Sequence, residues 1–136
     1  MRMSDTASTT PIKIAGTAPV LLADDVAHTV AYYCVILGFA VEFTQGEHYI
    51  GVYRDGVHLH IAAANGAPLH SNRVAWTEKS QPADVNFFVS NVDALYEEFK
   101  AKGAAVGDEP ANQSYGVRDF QVKDYNGYLL RFNQIL

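Results

Sequence analysis

Asp55-Gly56-Val57-His58-Leu59-His60 in the first half of the chain and Asn126-Gly127-Tyr128-Leu129-Leu130-Arg131 in the second are the two stretches whose comparison decides the fold. Each opens on a dipeptide that tolerates the positive φ of a tight hairpin turn, and each runs on as a β-rich strand. Upstream of the first, Ala18 to Ala23 is a short apolar run, Asp24-Asp25 are helix N-cap candidates, and Val26, Val30, Tyr33 and Leu37 follow at helical spacing. Gly38 ends that helix, and Phe39 to Thr44 and Tyr49 to Tyr53 read as strands separated by a Gln45-Gly46 turn. With Val57 to Ala63 the order is β-α-β-β-β. After a linker rich in Asn, Ser, Gly and Pro the order returns: Asp84 to Val89, an Asn91-capped helix carrying Val92, Leu95, Tyr96 and Phe99 and stopping at Gly103, then Ala104 to Val106, Gly116 to Val122 and Tyr128 to Ile135.

The spacing matches between the halves. Asp25 lies seven residues after Ala18, as Asn91 does after Asp84, and the closing glycine comes thirteen residues after one cap and twelve after the other. Side chains alternate along a strand, so Ala18 with Asp84, and His60 with Arg131, are expected at equivalent places, four positions converging on one hollow. A four-stranded half cannot bury both of its faces, so half must pack on half or subunit on subunit, and exchange of halves between chains is one inexpensive solution. The expected fold class is therefore α+β: two βαβββ repeats forming curved mixed sheets, paired in a dimer with exchange of halves. Residues 1–16 are expected to be a flexible arm, in which Pro11-Ile12-Lys13-Ile14 forms a short strand or lies across a partner. Residues 17–136 are expected to be a single domain, with repeat one at 17–64, a linker at 65–83 and repeat two at 84–136.

Bulk composition narrows the function. The 136 residues are 49% hydrophobic and 18% charged, ordinary globular usage, so disorder and fibrous repeats are excluded. A net charge of −5 and the lack of any Lys/Arg cluster exclude nucleic acid as partner, and they mildly favour a cationic ligand. No apolar run approaches the ~18 residues of a membrane span. Met1 to Thr10 carries no signal-peptide core, and the single Cys34, set in a helical pattern, fits a reducing compartment, so a cytoplasmic address is expected.

In its particular residues the chain resembles the vicinal oxygen chelate superfamily, which holds glyoxalase I, extradiol dioxygenases, fosfomycin-resistance enzymes and bleomycin-resistance proteins. The resemblance runs from Thr17 onward through Ala18-Pro19-Val20-Leu21, Asp25, Ala31-Tyr32-Tyr33, Leu37-Gly38-Phe39, Gly116-Val117-Arg118-Asp119-Phe120 and Asp124-Tyr125-Asn126-Gly127. Tyr125 stands where the family usually has proline. The opening segment and Tyr115 to Phe120 look most like the bleomycin-resistance branch, whose members are binding proteins in arm-exchanged dimers. Metalloenzymes of the superfamily place His or Glu at the four converging positions, which here carry Ala18, His60, Asp84 and Arg131. Alanine cannot ligate and a protonated arginine repels a cation, which leaves His60 and Asp84 as weak metal candidates and implies no resident cofactor, although a divalent metal held with help from water or substrate stays open.

Among candidate site residues, His60 and His58 share one strand face, a spacing suited to ligand contact or metal ligation, against ordinary packing or exposure. Asp84 and Arg131 are either an ion pair with each other or a charged clamp on a ligand; a buried charge without a partner would cost several kcal/mol. Tyr49, Phe87, Tyr115 and Phe120 fall near the expected cavity, and Trp76, in a polar linker, is a pocket or interface residue. Glu47 and His48 beside a hairpin read as a solvated turn. There is no nucleophile elbow and no phosphate loop. Two functions from different classes follow: a dimer of the bleomycin-resistance type sequestering an aromatic or cationic small molecule at its interface, or a metal-dependent glyoxalase-like lyase, isomerase or dioxygenase. A third is an interaction module that has lost its ligand.

Overall fold

The protein is described by a computed structural model over residues 9–136; the first eight residues of the expected arm lie outside the described residues. From residue 11 to Pro19 no strand forms, including at 11–14, and Ile12 and Ile14 are fully exposed. The first half then runs β1 (Val20–Ala23), α1 (Val26–Val35), β2 (Ala40–Gln45), β3 (Tyr49–Arg54), β4 (Val57–Ala63). The second runs β5 (Val85–Phe88), α2 (Val92–Ala101), β6 (Ala105–Val106), β7 (Ala111–Asn112), β8 (Val117–Lys123), β9 (Leu129–Ile135). The chain is α+β, with one mixed sheet per half. In the first, β1 pairs parallel with β4, which pairs antiparallel with β3, and β3 with β2; in the second, β5, β9, β8 and β6 repeat that order, with β7 added on β8.

Local chemistry explains each boundary. The Asp25 carboxylate accepts from the backbone N–H of His28, and Asn91 accepts from that of Ala94, so both helices start at their expected caps. Gly38 adopts φ +77°, and a Cβ there would stand 2.6 Å from the Arg54 guanidinium, so only glycine lets that side chain donate to the Leu37 carbonyl at 2.8 Å. Asp55 and Gly56 both take positive φ, joining β3 to β4 in a two-residue turn. The corresponding turn of the second half is wider than the sequence match implies: Lys123 pairs with Leu129, and buried Asp124 fills the loop by accepting from the N–H groups of Asn126 and Tyr128. In the linker a 3₁₀ turn, Asn72–Ala75, forms.

Each helix covers one face of its own sheet, and those covered faces meet. Leu21, Val52, Leu59 and Ile61 from the first sheet and Phe87, Phe120, Leu130 and Phe132 from the second form one core with Tyr33, Leu37 and Phe99. Full burial of a Leu, Ile or Phe side chain is worth about 1.5–3 kcal/mol, so this seam supplies most of the cohesion between halves. Polar links fix its register: Tyr33 donates to Asp124 at 2.6 Å, Tyr128 to the Leu22 carbonyl at 2.8 Å, and Arg54 grips Glu98 with two nitrogens. Among the described residues no helix lies over the opposite face of either sheet.

Candidate functional site

Each open face carries some of the predicted residues: Tyr49, His58 and His60 on the first sheet, Arg131 with Tyr115 on the second. On the first sheet His60 pairs across β3 with Gly51 and lies beside β1 at Val20, its backbone N–H donating to the Pro19 carbonyl. On the second sheet Arg131 lies beside Asn86 of β5. Since Val20 is two residues after Ala18 and Asn86 two after Asp84, the expected equivalence of the halves holds in register. Within one chain the four positions fall into two pairs, one on each sheet. Among the described residues no hydrogen bond, ion pair or ring contact joins them.

The first face is aromatic. The Tyr49 hydroxyl and His60 Nδ1 lie 2.8 Å apart, and both rings contact Phe43, the imidazole edge-on to it with centroids 5.1 Å apart. Phe43 lies over Gly51 so closely that a Cβ at Gly51 would come within 2.2 Å of its ring. A register shift between Val41 and Phe43 in β2 accompanies this placement. His58 shares the face, as alternation requires, and is occupied by Glu42 at 2.9 Å and stacked on Tyr53. Val20, Leu22 and Tyr53 complete it as exposed apolar side chains.

The second face is polar. Arg131 is paired with Asp119, not with Asp84: its Nε stands 3.8 Å from Asp119 Oδ2, and its Nη2 donates to the Gln81 carbonyl at 2.6 Å. Asp119 is buried and also accepts from the Gln113 amide at 3.0 Å and the Tyr115 hydroxyl at 3.3 Å. Burial, then the Asp119 charge, pushes the Tyr115 phenol up from its ordinary value. Together with linker residues 78–82 and Gln121, these side chains line a cavity of about 430 Å³. Asp84 lies outside it; its carboxylate accepts from the Ser71 hydroxyl, the Asn72 N–H and the Leu129 N–H, and so ties the linker to β9. Trp76 sits on that linker, more than a third exposed, donating to the Pro82 carbonyl with the Arg73 guanidinium over its ring.

Phe87 and Phe120 belong to the helix-covered side. Phe87 stacks on Phe132 at 4.8 Å and, with it, lines a separate crevice of about 470 Å³ at the seam between the halves. Sequence reasoning missed Phe43, Gly51, Gln113, Asp119 and Gln121. Gly51 inside a β-rich run is a signal for close approach, whereas counting back from Arg131 through a two-residue Asn126-Gly127 turn leads to Val122, and only the wider loop brings Gln121 opposite Arg131.

The residues present do not fit a resident metal at the four equivalent positions. Asp84 has both oxygens engaged, Arg131 is a cation held by a carboxylate, and Ala18 has no donor. Among the described residues no three His, Cys, Asp or Glu side chains are grouped to hold one, and no helix is long and apolar enough to cross a membrane.

Two βαβββ sheets joined through their helix-covered sides, one with an aromatic and one with a polar opposite face, define an α+β class of paired repeats. Residues 14–132 match the model of the Glyoxalase/Bleomycin resistance protein/Dioxygenase superfamily, and the chain belongs to that family. A comparison with curated proteins found no match. Among solved structures it is similar to a bleomycin-binding protein from bleomycin-producing Streptomyces verticillus complexed with copper(II)-bleomycin, with 28% identity, TM-score 0.68 and coverage of 91% of this chain and 98% of that one. A glyoxalase-related enzyme from Clostridium phytofermentans has TM-score 0.73 at 19% identity, covering 92% and 98%. A bleomycin resistance determinant encoded on the transposon Tn5 has TM-score 0.66 at 22% identity, covering 90% and 98%.

Proposed function

We propose that this protein binds a small organic molecule between the aromatic face of one copy and the polar face of another, and that sequestration of that molecule, as in drug resistance, is its use. The observation that carries the reading is the division of the equivalent sites: His60 with Tyr49 stands on one sheet and Arg131 with Tyr115 on the other, and among the described residues no helix covers either face, only the linker at 78–82 reaching the second. A homodimer in which each first half meets a partner's second half closes both. Exposed Val20, Leu22, Tyr53 and Phe88 on these faces, and Ile12 and Ile14 before β1, supply apolar surface for such a pairing. His58 shares the aromatic face, Trp76 sits on the linker, Asp84 holds that linker in place, and Phe87 supports the seam from the core side.

The kinship with the bleomycin-binding protein makes bleomycin the first ligand to try. In a thermal-shift series with bleomycin and other flat organic molecules, a ligand at a hundredfold over its Kd adds about 2.7 kcal/mol to stability. A rise in melting temperature with at least one of them is expected, and no rise with any counts against sequestration.

A further inference from the structure

The two faces differ in the chemistry they offer, and the polar one is specific enough to name a functional group. Four charged side chains line its cavity, Glu78, Lys79, Asp119 and Arg131, and they sum to zero. Asp119 is buried, each of its oxygens accepts from a protein donor, and Arg131 stands beside it, so an incoming cation would meet a carboxylate already shared among three protein groups. Arg131 is already neutralised by that carboxylate, so an incoming anion would sit near a buried negative charge and gain little. Hydrogen-bonding capacity is what remains. Arg131 carries five N–H donors and spends one on Gln81. Gln121, its cross-strand neighbour, lines the cavity with an amide that has neither a donor nor an acceptor partner among the described residues.

Resting on the proposed function above, we infer that the Gln121–Arg131 side of the cavity recognises a neutral carboxamide or carbamoyl group on an aromatic ligand. The ligand's carbonyl accepts from Arg131 and its N–H donates to the Gln121 carbonyl, a pairing that satisfies both partners without adding charge. Asp119 is a positioning residue, holding Arg131 and Tyr115 at the wall. The flat part of the ligand lies on the Phe43, Tyr49 and His60 rings of the facing copy.

Three probes sharing one bicycle separate the possibilities by calorimetric titration at pH 7.5: 2-naphthalenecarboxamide, 2-naphthoate and 2-naphthylmethylammonium. The intact protein is expected to bind the carboxamide at least about tenfold more tightly than either ion, the scale of one or two hydrogen bonds. Gln121→Ala is expected to remove most of that preference while leaving naphthoate affinity within about twofold. Gln121→Glu, a change of near-identical shape, shifts the preference to the ammonium probe. If either ion binds the intact protein as tightly as the carboxamide, or if Gln121→Ala leaves the ranking unchanged, the carboxamide assignment is overturned and the small-molecule reading stands. If none of the three binds, the carboxamide assignment is overturned, and the thermal-shift series with bleomycin decides the small-molecule reading.

Discussion

Gly51 is a residue whose missing side chain has a function. The Phe43 ring occupies the space a Cβ would need, and that places Phe43 beside Tyr49 and His60 on the open sheet. Gly51→Ala must push the ring aside, and it is expected to cost about 1–3 kcal/mol in chemical denaturation. Asp124 is the second such residue. Burial is the main influence on its carboxyl and raises its pKa above 3.8, despite the Tyr33 hydroxyl and two backbone N–H groups that favour the charge. The folded state therefore holds the proton more tightly than the unfolded chain. Asp124's contribution to stability is greatest below pH 3.8 and declines as pH rises through its raised folded value. Compared across pH, Asp124→Asn is expected to gain on the native protein in that window and then run parallel to it. Asp124→Ala strands three donors, at about 1–3 kcal/mol for a buried group left unpaired, and is expected to be clearly destabilising at every pH.

At the scale of elements, the caps and tight turns were legible because they depend on one or two residues. Asp25, Asn91, Gly38, Gly103 and Asp55-Gly56 act where the sequence places them. Asn91→Ala is expected to cost about 1 kcal/mol, as for other caps, measured by thermal or denaturant unfolding. What escaped were features fixed by partners distant in sequence. β7 pairs only with β8, the 3₁₀ turn is anchored by Asp84 through Ser71 and Asn72, and the Asn126-Gly127 loop is wide where Asp124 turns inward to Tyr33. The Arg54–Glu98 strut between β3 and α2 is of the same kind. The hydrogen bonds from Arg54 hold the Glu98 carboxyl below its ordinary value, so this contribution is present above pH 4.5 and lost on acidification. Because Glu98 is more than a third exposed, Glu98→Gln is expected to cost under about 1 kcal/mol, and less in high salt.

For the whole molecule, duplication was readable from matched spacing, and so was the register that makes His60 and Arg131 equivalent. Which partners those side chains take was not, since Asp119 and Tyr49 reach them across strands whose neighbours alternation alone does not identify. Nor does spacing within one chain tell whether equivalent positions face each other in that chain or across two copies. In the proposed dimer the aromatic face of one copy meets the polar face of another. Two otherwise cysteine-free chains, both Cys34→Ser, test this directly when one carries Tyr49→Cys and the other Gln121→Cys and the refolded mixture is treated with a short bis-maleimide. A cross-linked product containing one of each chain, formed faster than either chain links to itself, is predicted; a mixture yielding no more dimer than the separate chains would contradict the shared site.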